Sequence, residues 1–152
     1  MAARFQFRLE SLLRVRKALE EEAKRHLSRT IGARDRAQAQ VEAVRTARQG
    51  ALDNRQTAPH QRVDLDLWRA TERYLLVMER RIQLAVDEVR QAEAVVEAAR
   101  AALLKAHQDH LILQRLKERR QEQHALEVLH EETRDMDEIA VLRHAITHPA
   151  VS

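Results

Sequence analysis

The residues with the widest chemical reach in this chain are its eight histidines. His107 and His110 stand three apart, and His144 and His148 four apart, so on a helix each pair would share a face and offer two imidazoles to a divalent metal. A useful site needs a third ligand converging on the same point, and no spacing specifies one. His110 also falls on an apolar repeat, where a satisfied half-buried histidine is the simpler reading. Carboxylates come in runs, Glu20 to Glu22 and Glu131 with Glu132, as they do on solvated helix faces. General acid–base work requires a pocket that desolvates one carboxyl and moves its pKa. The chain has no glycine-rich phosphate loop, no nucleophile set beside a base, and no cysteine for thiolate ligation or disulfides. The expectation is therefore a protein that is not an enzyme, with no catalytic residue, metal, cofactor or small-molecule substrate.

What would position any of these side chains is helix. The 152 residues are 34% charged and 3% aromatic, with 2 Gly and 2 Pro, which is too few bulky and turn residues for an ordinary globule. Ala, Leu, Glu, Gln and Arg take their place, the composition of long helices. A hydrophobic content of 44% argues against disorder for most of the length. No apolar run approaches the ~20 residues of a membrane span. The N-terminus carries Arg4, Arg8, Arg14 and Arg16 without an apolar core, unlike a secretory signal. A soluble, intracellular protein is expected. Net charge is +3 but uneven: residues 1–36 hold ten Lys/Arg against five acids, and residues 118–152 four Arg against eight acids. That pattern fits a solvated coiled-coil surface, or two ends that meet partners of different polarity. Nucleic-acid binding is not expected, because acids dilute the basic residues and no aromatic platform accompanies them.

Two helical stretches flank one break, TAPHQRVDLD, where Pro59 disfavours helix at Ala58 and Asp64 or Asp66 is a reasonable N-cap. The expected organisation is a single coiled-coil domain over 1–152: a first helix over about 4–56, a tip loop over 57–65, a second helix over 66–146 and a tail over 147–152. In the second helix Leu75, Met78, Ile82, Ala85, Val89, Ala92, Val96, Ala99, Leu103, Ala106, His110 and Leu113 alternate steps of three and four without a miss, a coiled-coil seam. The first helix has a softer seam through Phe5, Leu9, Leu12, Arg16, Leu19, Ala23, His26, Thr30, Ala33, Ala37, Val41 and Val44. A narrow stripe on a long helix must be buried to be stable. The fold class predicted is all-α, a long two-helix antiparallel coiled-coil hairpin with the second helix longer; a homodimeric structural coiled-coil scaffold is the competing use of the same seam. The hairpin sets Phe5 opposite residues near 117 and leaves 118–147 without an intramolecular partner. Leu126, Leu129, Thr133, Met136 and Ala140 restart a three–four pattern there, either as a docking stripe or as a fraying end.

The stretch WRATERYLLVMER holds the only Trp and Tyr, Trp68 and Tyr74. With Met78 they either close the end of the hairpin or form a recognition patch ringed by Arg69, Arg73, Arg80 and Arg81.

Three segments, in order, resemble a known family. The start, F-x-F-x-L-x-x-L-L-x-x-R through Phe5, Phe7, Leu9, Leu12, Leu13 and Arg16, looks like the opening of the flagellar export protein FliJ. LQRLKERRQEQ and then MDEIA, Met136 to Ala140, resemble that family's C-terminal segments, and Trp68 to Ile82 is similar to its tip-proximal region. The resemblance implies an antiparallel coiled coil similar to the gamma-subunit stalk of rotary ATP synthases. It implies that both ends enter the hexameric flagellar export ATPase, here through Phe5, Phe7, Leu9, Leu13, Arg16, Met136, Asp137 and Glu138. It also implies that the tip contacts the cytoplasmic domain of the export gate membrane protein through Trp68, Tyr74 and Met78, and that the protein escorts substrate-specific export chaperones. Its place would be the cytoplasm, peripheral at the cytoplasmic face of the inner membrane at the flagellar base. One departure stands out: the first-helix half of the family's gate surface carries tyrosines, whereas this chain is rich in Ala and Arg around Val44, Ala47 and Ala51. The equivalent stalk of a virulence-type injectisome is the alternative within the class.

Overall fold

The computed structural model describes residues 4–57 and 64–148. They form two helices, α1 (Glu10–Thr57) and the longer α2 (Leu65–Thr147), with no strand among the described residues. The expected all-α pair, packed together with the second helix longer, is what the chain adopts. The proposed tip loop around Pro59 and the tail beyond His148 lie outside the described residues. Of the two candidate caps, Asp64 starts α2: its Oδ1 accepts from the backbone N–H of Asp66 at 3.0 Å and of Leu67 at 3.3 Å. Asp66, in the first turn, then faces the positive end of the helix dipole.

The helix expected from about residue 4 begins instead at Glu10, whose N–H donates to the Phe7 carbonyl at 3.1 Å. Phe5, Phe7 and Leu9 are half-buried while Arg4, Gln6 and Arg8 are exposed. That alternation has a period of two, and residues 4–9 lie outside helix, with a turn at Arg8 and Leu9 that leads into Glu10. In a helix Phe5 and Leu9 would share a face and Phe7 would point away; here all three are half-buried.

The chain divides into two compact units, Glu20–Lys105 and Met1–Leu19 with Ala106–Ser152. In the first, α1 and α2 run antiparallel, as two ion pairs show: Arg48–Glu79 at 3.0 Å and Arg55–Glu72, seven residues on in one helix and seven back in the other. Every seam position expected in this part of α2 is buried or half-buried, and Val96 is the most enclosed side chain, at 1% exposure. The α1 seam needs correction. Leu27 and Arg34 turn inward and His26 and Ala33 are exposed. The inward set Ala23, Leu27, Thr30, Arg34, Ala37, Val41, Val44 and Arg48 alternates four and three throughout. The expected set took two consecutive steps of four, from Ala33 to Ala37 to Val41, a stutter that rotates the apolar face. An α2 seam without a stutter requires a partner without one. The register carried from Arg48–Glu79 sets Val41 beside Val86 and Ala92 level with Arg34, so the small α2 residue leaves room for the arginine stem.

In the second unit the same correction recurs. Leu13 is buried and Leu12 and Leu19 are exposed. Arg16 meets Asp109 at 3.5 Å, Glu10 meets Lys117 at 3.0 Å, and the Phe5 ring lies against His124 with centroids 5.6 Å apart. Phe5 was expected opposite residue 117; it reaches seven residues farther. Most of the difference is register, since Glu10 opposite Lys117 would already bring a helical Phe5 level with about residue 122; the non-helical segment, with its greater rise per residue, adds only about two residues. The N-terminal segment thus covers more of α2 than a helix of the same length would. Among the described residues Val128 is the last that is half-buried, so the exposed run of α2 starts at Leu129 rather than at Glu118.

Candidate functional site

The first cluster to consider is the N-terminal segment on α2. Of the residues assigned there, Phe5, Phe7 and Leu9 are half-buried, Leu13 is 6% exposed, and Arg16 reaches Asp109. They come together as a clasp on α2, with Leu13 turned to the helix rather than to solvent. The apolar residues left facing outward are Leu12, Val15 and Leu19, spaced three and four apart. Leu12 and Leu19 were expected in the seam, and Val15 was not singled out in the sequence. Met136, Asp137 and Glu138 are exposed on the run of α2 past Val128. Met136 is twelve residues beyond His124, roughly 18 Å along the helix, so they do not join the clasp. Around Met136 the run carries Leu129, Ile139, Leu142 and Ile146, all exposed, and the acids Glu131, Glu132 and Asp135.

At the start of α2 the three residues assigned to one patch divide. The Arg55 guanidinium lies over the Trp68 ring, 3.3 Å from its centre, and also pairs with Glu72. Trp68, itself 44% exposed, is thereby tied to α1 on one ring face, through a cation–π contact that composition alone could not place. Tyr74, six residues on, points about 120° away around the helix axis and is 41% exposed. Met78 is 7% exposed and sits in the seam, supporting the patch from beneath rather than lining it. On the α1 side Val44 and Ala51 are half-buried and Ala47 is exposed.

Among the described residues no group of three or more His, Asp or Glu could hold a metal ion. His144 and His148 stack with ring centres 4.7 Å apart, at the exposed end of α2. Hydrogen bonds from Arg29 and then Arg25 hold the Glu22 carboxyl below the ordinary carboxylate range. That is a surface ion cluster without a pocket. Among the described residues, no helix is long and apolar enough to cross a membrane.

A protein-family model described as Flagellar FliJ protein matches residues 5–146 of the chain. No curated protein and no solved structure matches it.

Proposed function

The chain belongs to the FliJ family of flagellar proteins, with a role in flagellar export, and from that premise we propose that it is a stalk and regulator of the type III export apparatus. Its two ends bind the hexameric export ATPase, the start of α2 binds the cytoplasmic domain of the export gate, and the protein escorts substrate chaperones. The observation that supports the first part is apolar surface left without cover in one unit. Leu12, Val15 and Leu19 face outward from α1, and Leu129 through Ile146 face outward from α2. Exposed apolar helix faces on so charged a protein favour burial against another protein. The basic start and acidic end of the chain offer a surrounding ring two surfaces of opposite sign. On this reading Phe5, Phe7, Leu9, Leu13 and Arg16 act by holding the clasp, and Met136, Asp137 and Glu138 by direct contact. The protein works at the cytoplasmic face of the inner membrane at the flagellar base, held there by its partners.

The family's flagellar description favours this over an injectisome stalk. A homodimeric scaffold is disfavoured because α1 already covers the α2 seam such a dimer would use.

The test is hydrolysis by the purified cognate ATPase, titrated with this protein. Stimulation is expected, and it should disappear when residues 129–152 are removed while the rest of the chain keeps its helicity. An unchanged rate across the titration would refute the proposal.

A further inference from the structure

We infer that the outer face of α2 from Leu67 to Leu84 is a docking surface for an acidic amphipathic helix. This deepens the gate reading of the same region and rests on it for the identity of the partner, though not for its chemistry. Along this stretch Leu67, Ala70, Tyr74, Val77, Arg81 and Leu84 follow one another at three–four spacing, one helix position away from the buried seam. All six are exposed, with Leu67 at 66% and Leu84 at 64%. A sustained three–four stripe over 18 residues is about 25 Å of helix, the length a partner helix needs for several turns of packing. α2 therefore carries two seams: the inner one is filled by α1, and the outer one is open.

Charge decides what fills it. Outside this stretch every described arginine of the unit except Arg36 touches a carboxylate. Arg69, Arg73 and Arg80 have no ion pair among the described residues, and they line one edge of the stripe at spacings of four and seven. Arg73 and Arg80 take the flanking positions of a coiled coil, where opposite charges on the partner set pairing and orientation, and Arg69 stands just outside them. Arg81 lies inside the stripe, also unpaired among the described residues. Covering it without an acid would bury an uncompensated charge, so the partner must bring a carboxylate to that level. A helix with apolar residues at three–four spacing and acids along one edge answers all four arginines.

Two synthetic helical peptides test this on the full-length chain. Both carry leucines at three–four spacing over five turns, one with Glu and one with Lys at the flanking positions, and binding is read by fluorescence anisotropy. The Glu peptide should bind and the Lys peptide should not, with affinity falling about tenfold or more between low and physiological salt, as expected for rim charges. R69E/R73E/R80E, checked for helicity by circular dichroism, should reverse the preference, and L67A/V77A/L84A should abolish binding. Equal binding of both peptides, or none, overturns the inference. So does binding of the face to anionic vesicles in preference to the Glu peptide, or self-association of the chain that R69E/R73E/R80E removes. Competition by the gate's cytoplasmic domain separates the two readings. A gate domain that leaves the Glu peptide bound refutes the gate assignment alone, and gate binding that survives R69E/R73E/R80E refutes the acidic-helix inference alone.

Discussion

Replacing Leu13 with alanine should cost about 2–3 kcal/mol of stability, and replacing its neighbour Leu12 about 1 kcal/mol. Leu13 leaves 6% of its surface in water and Leu12 leaves 40%. Either substitution deletes three carbons, each worth ~0.8 kcal/mol when fully buried. Scaled by burial, the transfer loss is about 2.3 kcal/mol at Leu13 and about 1.4 kcal/mol at Leu12. Alanine's helix propensity returns a few tenths at both sites. A cavity term of up to about 1 kcal/mol adds at Leu13 alone, since its space is bounded by both helices, whereas water fills the gap at Leu12. Urea denaturation followed by far-ultraviolet circular dichroism, extrapolated linearly with a common slope, measures both. The comparison probes the α1 seam itself. If Leu12→Ala costs as much as Leu13→Ala, or more, the seam runs through Leu12 and Leu19 and the packing described above is wrong.

Two further perturbations probe the start of α2. Asp64→Ala removes the acceptor for the Asp66 and Leu67 amides and should cost about 1 kcal/mol; faster amide exchange at those two positions is the readout, and unchanged exchange would discount the cap. Arg55→Ala uncovers the Trp68 ring and should shift the protein's single tryptophan emission to the red with a loss of about 1 kcal/mol. Arg55→Lys should recover only part of it, because an ammonium cannot lie flat on the ring; full recovery would reduce the contact to simple charge.

The α2 seam was legible in the sequence residue by residue because no other stripe lasts its whole length. From Leu75 to Leu113 its positions keep strict three–four steps, whereas the stripe one position away, apolar at Tyr74, Val77 and Leu84, gives out at Glu88 and Gln91. The α1 helix offers two stripes of similar strength at its start, Leu12 with Leu19 and Leu13 with Leu27. Neighbouring positions differ by about 100° around a helix, so the choice decides which side chains touch anything. Local pattern favoured the more apolar stripe. The structure takes the one that places Glu20 and Arg34 inward, because only that one keeps step with α2.

Helix content, the single central break and the greater length of the second helix were determined by the sequence alone, since propensity, proline placement and hydrophobic period are local properties. The division of labour at the binding regions was not. Trp68 anchored by Arg55, Met78 buried beneath Tyr74, and Phe5 extended to His124 each depend on a residue distant in the chain. The F-x-F-x-L start was visible as a pattern, but only the tertiary structure sets the helix start at Glu10 and the Phe5 ring against His124.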